Sequence, residues 1–151
     1  MASNAEVIRT LNGLIETCRD GQEGFRTAAE GVKRSELKEL FRAYSGQRAS
    51  FVGELQDEVR HMGGEPEDSG SATAALHRGW MGLRAALSGG DDSAVLAECE
   101  RGEDAALSNY RAALGTDMPA SARSVVERQF AEVREAHQRV RDLERADGAG
   151  A

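Results

Sequence analysis

Two carboxylates on one predicted helix, Glu100 and Glu103, are the residues of this sequence best placed to carry chemistry. They lie in the stretch VLAECERGEDAALSNYRAAL at residues 95–114. Apolar residues recur there at steps of three and four, the spacing of a buried stripe on a bundled helix, and Glu103 occupies the middle of that stripe. A buried carboxylate is costly unless it is paired. The other helices must therefore supply a metal ion, a cation or hydrogen-bond donors.

Four long amphipathic segments are predicted to position these carboxylates. The first helix begins with Asn4 as its N-cap and ends before a turn at residues 31–34. The second covers about 36–62, the third ends near Thr116, and the fourth carries an apolar stripe over 122–143. A short link joins the first helix to the second, and another joins the third to the fourth. The two helices of each pair are therefore antiparallel neighbours.

The connection between the second and third long helices is itself long. Two glycines end the second helix, a loop follows over 65–72, and a shorter helix is predicted over 73–87 with Leu76 and Trp80 facing inward. Such a crossover lets the helices on either side of it run parallel. The predicted fold is all-α, a four-helix bundle over 1–146 with an extra short helix in its crossover, followed by a disordered tail.

Composition excludes several classes of partner. The net charge of -7 comes from both signs spread along the chain, so we expect neither nucleic acid nor an anionic membrane to bind. No apolar run approaches the ~20 residues that span a bilayer, and the N-terminus lacks a signal-peptide pattern, so we expect a cytoplasmic protein. The two cysteines, Cys18 and Cys99, lie on apolar stripes and are predicted to be buried free thiols.

Antiparallel pairing within each pair of helices, together with alignment of the helix starts, brings a set of polar residues to the middle of the predicted bundle. The members of this polar core are Gln22, Arg48, Glu100, Glu103, Gln129 and His137. In the favoured interpretation the guanidinium of Arg48 pairs with Glu103, and with Glu100 beside it, as a fixed cation. The other polar side chains then satisfy the remaining donors and acceptors, and the site needs no cofactor.

A carboxylate-bridged pair of iron or manganese ions is the alternative occupant. Its ligands would be Glu54, Glu100, Glu103 and His137. Such a centre requires a Glu-x-x-His step on two of the helices. One such step, Glu58 to His61, falls in the last turn of its helix, and Arg134 stands where His137 needs its paired glutamate. No metal is therefore favoured.

Several segments together resemble a known family. They are LIETCRDGQEGFRTAAEGV, FVGELQDEV, GGEPEDSGSATAALHRGW and ECERGEDAALSNY, together with the late His137. The sequence resembles, from about Val7 to Leu143, a bacterial family of four-helix-bundle proteins of unknown function in the ferritin-like superfamily. The resemblance implies a ferritin-like fold without an established activity. Ferritins and rubrerythrins of this superfamily bind two irons and oxidise ferrous iron or reduce peroxide, but here Arg134 breaks their pattern and the first helix has no inward acid.

Two functions follow from these observations. The first is a non-catalytic helical bundle, stress-associated or partner-binding, whose polar core is structural; the sequence leans toward this and away from an enzyme. The alternative is a metal-binding ferritin-like protein for iron oxidation, iron storage or peroxide reduction. A homodimer or another protein partner is expected, and a dimerisation module would need an exposed apolar patch around Trp80 and Met81.

Overall fold

The structure is a computed structural model that describes residues 2–67 and 80–149, and these residues form five α-helices without a β-strand. The helices are α1 (Asn4–Gly31), α2 (Ser35–His61), α3 (Leu83–Ser88), α4 (Asp92–Leu114) and α5 (Ala120–Ala149). The predicted all-α class is confirmed. None of the helices within these ranges combines the length and the apolar character needed to cross a membrane.

The four long helices form a closed ring of neighbours. α1 packs along α2, α2 along α5, α5 along α4, and α4 along α1. Contacts at the ends show that neighbours are antiparallel: Lys33 N, after the end of α1, donates to Asp92 at the start of α4, and Ser121 near the start of α5 donates to Glu58 near the end of α2. The diagonal helices α2 and α4 are therefore parallel, as the long crossover predicts.

The buried interior divides into two apolar clusters along the bundle axis. One includes Leu11, Leu55 and Val126, and the other includes Phe25, Phe41 and Leu96. Most of these side chains come from the predicted stripes, so helical periodicity built the core as expected. Arg48 and Glu103 fall between the two clusters along α2 and α4. The polar layer therefore lies inside the bundle and not at one of its ends.

Helix ends differ from the sequence prediction in three places. The N-cap of α1 is Ser3, whose hydroxyl accepts a hydrogen bond from Glu6 N, so Asn4 is already helical. Arg34 holds the N-cap position of α2, so this helix begins at Ser35, one residue before the predicted start at about 36. The helix α5 continues through Ala149, beyond the predicted domain end at residue 146, and Asp147 lies 2.5 Å from Arg34. The part of the predicted disordered tail over 147–149 is therefore helical, and this contact ties it to the residue before α2.

The described part of the crossover docks on the bundle through Trp80. Its indole is 2% exposed and fills a slot between Gly24 of α1 and Gly102 of α4. The inward position of Trp80 is therefore confirmed. The exposed apolar patch that a dimerisation module would need around Trp80 and Met81 is not formed by the described residues, since of the two only Met81 is exposed. The described helix is Leu83–Ser88, and the predictions for Leu76 and the rest of 68–79 lie outside the described residues.

Candidate functional site

A buried ion pair joins α2 to α4 across the centre of the bundle. Both terminal nitrogens of Arg48 donate to Glu103, with Nη1 2.6 Å from Oε1 and Nη2 2.6 Å from Oε2. The two side chains are 1% and 0% exposed. This two-pronged geometry is the strongest that a guanidinium and a carboxylate can form. The pairing predicted from the sequence is present, and it fills the middle of the bundle with a fixed cation.

The surroundings of Arg48 hold its side chain in place. Its Nε donates to Gln47 Oε1 at 3.1 Å, and its guanidinium carbon lies 5.4 Å from the centre of the Phe25 ring. A Cβ at Gly21 would lie 3.0 Å from Nη1, so this glycine makes room for the guanidinium. Burial acts to lower the pKa of Arg48, but the charge and hydrogen bonds of Glu103 outweigh it and the pKa is raised. Arg48 is therefore a permanent cation.

A second polar chain runs beside the ion pair through all four long helices. Cys18 Sγ lies 3.1 Å from the hydroxyl of Tyr110, which donates to Gln129 Oε1 at 2.7 Å. Gln129 Nε2 in turn donates to Phe51 O at 3.3 Å and to Glu54 Oε1 at 3.0 Å. Each buried polar atom of this hydrogen-bond network thus has a partner, which is the condition for a stable buried network.

The same burial keeps the thiols and the phenol neutral. Burial raises the pKa of Cys18 to about 11, and the pKa of Cys99 lies well above its ordinary value for the same reason. Burial also raises the pKa of Tyr110 well above its usual range. Since a thiolate is the reactive form of cysteine, neither thiol is an activated nucleophile. The prediction that both cysteines are buried and free is confirmed.

Three of the six predicted members of the polar core lie away from its centre. Gln22 is half-buried at the seam of α1 and α2, where its backbone carbonyl accepts from Ser45. Glu100 is 24% exposed at the seam of α4 and α5. His137 is 14% exposed, and its Nε2 lies 2.6 Å from Asp104 Oδ1. Only Arg48, Glu103 and Gln129, of the six, are fully buried at the middle of the bundle.

The four candidate metal ligands are dispersed among separate partners. Glu103 is held by Arg48, Glu54 by Gln129 and Arg128, Glu100 by residues of α5, and His137 by Asp104. Within residues 2–67 and 80–149, no three histidine, cysteine or acidic side chains converge so as to hold a metal. The sequence alternative Glu58–His61 is likewise separated, because Glu58 accepts from Ser121 while His61 is exposed. This donor set does not fit a carboxylate-bridged metal pair.

Two contacts of these networks were not predicted from the sequence. Asp104 is the partner of His137, and Cys18 is the partner of Tyr110. Both contacts join helices that lie side by side and antiparallel. The predicted height of His137 along the bundle is close to that of Asp104, so the sequence indicated that the two residues could meet. It did not indicate in which direction the His137 ring points.

Glu100 and Glu144 form a carboxyl pair at the seam of α4 and α5. The hydrogen bond with Glu100, burial and the negative charge of Glu100 together raise the pKa of Glu144 from 4.5 to about 7. The nitrogen Nε of Arg141 lies 3.8 Å from Glu100 Oε1. A shared proton therefore holds the two acids together at mildly acidic pH.

We expect Glu144→Gln to remove part of the pH dependence of stability. Because the folded-state pKa is raised, the protonated pair contributes stability that is complete below pH 4.5 and is lost as the pH rises through about 7. Glutamine keeps the neutral form at every pH, so its melting temperature should exceed that of the wild type at about pH 8 by roughly 2–4 °C and match it at about pH 4. Thermal melts over this range test it, with exposed Glu127→Gln as the control. An equal difference at both ends would contradict the shared proton.

Fold and site together define a ferritin-like helical bundle with an ion pair at its centre. The chain belongs to the family described as a domain of unknown function (DUF2383), whose sequence model matches residues 6–116. The family resemblance found in the sequence is thereby confirmed. No curated protein matches the chain.

Two solved structures share the fold at low sequence identity. One is a two-domain protein from Anabaena variabilis with DJ-1/ThiJ/PfpI-like and ferritin-like domains, with a TM-score of 0.79, 14% identity and 99% of this chain covered. This chain spans 39% of the length of that protein. The other is a dodecameric thioferritin, a bacterioferritin-related protein from Bacteroides fragilis, with a TM-score of 0.78 and 14% identity. The match covers 98% of this chain and 89% of the thioferritin chain. At such identity the likeness establishes the ferritin-like fold.

Proposed function

We propose that this protein is a non-catalytic, partner-binding member of the ferritin-like fold, in which a fixed ion pair takes the place of a metal centre. The observation that carries the proposal is the two-pronged contact of Arg48 with Glu103 at the middle of the bundle. Glu103 is the buried acid that a metal would have to recruit, and its two oxygens are already occupied.

Electrostatics favour the ion pair over a bound metal. A metal ion at Glu103 would have to displace the guanidinium of Arg48, which is 1% exposed and contacts no second carboxylate within the described residues. That displacement would leave a buried cation beside a divalent one, and uncompensated buried charge is strongly unfavourable. Arg48 therefore already compensates the negative charge of Glu103, and no metal ion has to bind to do so.

The thiols, the phenol and the histidine of the site also favour a non-catalytic role. Both thiols and the buried phenol are held neutral, and the histidine is engaged by Asp104 at the seam of α4 and α5. Nucleophilic or general-base chemistry requires a group activated by a neighbour in an accessible cleft. A binding role is thus the better use of this bundle.

Protein association is the form of binding that the fold relatives suggest. The Anabaena protein carries its ferritin-like domain beside a second domain, and the Bacteroides protein is described as a dodecamer. The partner of this chain would be a second copy or another protein. It would meet a largely polar surface, because among the described residues Met81 is the only large apolar side chain that is exposed.

Metal analysis after loading with ferrous iron or manganese tests the proposal. We expect the desalted wild type to retain no stoichiometric metal, and its melting temperature to be unchanged by either ion. Metal content and melting temperature are also measured for Arg48→Met, which frees Glu103, and for Glu103→Gln. Arg26→Met serves as a surface control. About two ions per wild-type chain, lost in Glu103→Gln but kept in the control, would replace this proposal by the metal-binding alternative. Light scattering of the same samples reports whether the chain self-associates.

A further inference from the structure

A groove rich in arginine lies on the outer side of the seam between α4 and α5. Its volume is about 510 Å³, within the range of small-molecule sites. Three of the side chains that line it are Arg111 of α4 and Arg134 and Arg141 of α5. The protein as a whole carries a net charge of -7, so a concentration of cations here runs against its average composition.

Two of these arginines share one aromatic ring. The guanidinium carbons of Arg111 and Arg134 lie 5.7 Å and 5.6 Å from the centre of the Phe130 ring. The ring stacks in turn on Tyr110, with centroids 6.4 Å apart and planes inclined by 20°. Because Tyr110 is fully buried, the ring is anchored to the core and gives both arginines a fixed platform.

Neither arginine is matched by an acid in the described part of the chain. Arg111 and Arg134 form no ion pair or side-chain hydrogen bond there, whereas other arginines of the bundle, such as Arg26 and Arg128, each contact a carboxylate. Two cations gathered on one ring repel each other, and a bound anion would relieve that repulsion. The guanidinium fork is also the group best suited to bind the oxygens of an anion two at a time.

The acids near the groove are largely engaged elsewhere. Asp104 contacts His137, and Glu100 is shared between Glu144 and Arg141. Glu135 lines the groove as well, but it is outnumbered by Arg111 and Arg134, neither of which contacts a carboxylate in the described residues. Two such guanidiniums are matched by an anion carrying at least two negative charges.

We propose that this groove binds a small multivalent phosphate anion, either inorganic or the phosphate part of a phosphorylated small molecule, through Arg111 and Arg134. The two guanidiniums grip separate oxygens of the anion, and Arg141, beside Glu100, lines the same groove. Phe130 keeps the two binding arginines at a fixed height above the core. This site is separate from the buried ion pair, so it does not depend on the role proposed for the bundle centre.

Calorimetric titration with pyrophosphate at low ionic strength tests the site. We expect saturable binding of one pyrophosphate per chain, weakened by about tenfold or more in the double variant Arg111→Gln/Arg134→Gln, because the two lost charge-assisted contacts together are worth at least that factor. Arg84→Gln removes the same charge from exposed α3 and should leave the affinity unchanged. Orthophosphate and a nucleoside monophosphate, titrated in parallel, distinguish an inorganic from an organic source of the phosphate.

The outcomes that would overturn the site are equally direct. Absence of saturable pyrophosphate binding to folded wild-type protein would do so, as would a double variant that binds as the wild type does. Tighter binding of citrate than of pyrophosphate would assign the groove to carboxylates and contradict the phosphate proposal. Circular dichroism and thermal melts of each variant establish that it is folded, which is expected because both arginines are exposed.

Discussion

Replacing Arg48 with methionine should lower the free energy of unfolding by about 3–5 kcal/mol. The substitution keeps much of the side-chain volume but leaves Glu103, which is 0% exposed, without the cation that compensates it. An unpaired buried carboxylate must then take up a proton or draw water into the bundle, and either response destabilises the folded state. Urea denaturation of the purified variant, followed by circular dichroism, measures the change.

Two further variants separate loss of charge balance from loss of packing. Glu103→Gln should be similarly destabilised because it strands the guanidinium, whereas the double variant Arg48→Met/Glu103→Leu should recover most of the loss, since a buried pair replaced by apolar groups is often neutral. Arg26→Met removes a solvent-exposed arginine that contacts Glu23 and Glu30, and should cost less than about 1 kcal/mol. If Arg48→Met were no more costly than Arg26→Met, the central pair would not have the role assigned to it.

Gly102→Ala should destabilise the protein by roughly 1–3 kcal/mol or more, although alanine ordinarily strengthens a helix. A Cβ at this position would lie 2.2 Å from Cε2 of Trp80. The indole cannot retreat, because on its other side a Cβ at Gly24 would lie 2.4 Å from Cδ2. The new methyl group would therefore push Trp80 out of its slot and detach the described end of the crossover from the bundle. Thermal melts and the fluorescence of Trp80, the single tryptophan of the chain, report both effects.

A glycine of the same bundle provides the matched control. Gly13 lies within α1, and nothing lies within 4 Å of a Cβ built there, so Gly13→Ala should stabilise by about 0.5–1 kcal/mol through helix propensity alone. Opposite signs for the two substitutions are the expected result. Stabilisation by Gly102→Ala with unchanged fluorescence would show that the slot is not as tight as described.

Helical periodicity was sufficient to predict the bundle and its central ion pair. Arg48 and Glu103 each interrupt an otherwise apolar stripe, so each had to face the interior, and aligning the starts of the helices placed them at about one level. Glu100 and His137 were assigned to the same layer by level alone. Successive residues turn by about 100° around a helix, so a side chain can share the level of a site and still point into a seam. His137 does so, and finds Asp104 beside the buried Glu103.

The groove and the tryptophan slot depend on information that periodicity does not contain. Arg111 and Arg134 come together on Phe130 only through the rotation of α4 against α5. That rotation is set by side-chain packing over the whole interface. The residue that packs against Gly24 is Trp80, which comes from the crossover and not from a neighbouring long helix. Such long-range contacts are fixed by three-dimensional packing and not by local sequence.

The diagonal position of the central pair makes it a test of correct assembly during folding. The hairpins α1–α2 and α4–α5 each consist of helices close in sequence, so each can form from its own local contacts. Arg48 and Glu103 belong to different hairpins and meet only when both have docked at the same depth. A slip of one helical turn, about 5.4 Å, would leave a positive and a negative charge stranded in apolar surroundings. Misdocked bundles are thereby penalised, and the chain is directed to a single arrangement of its two halves.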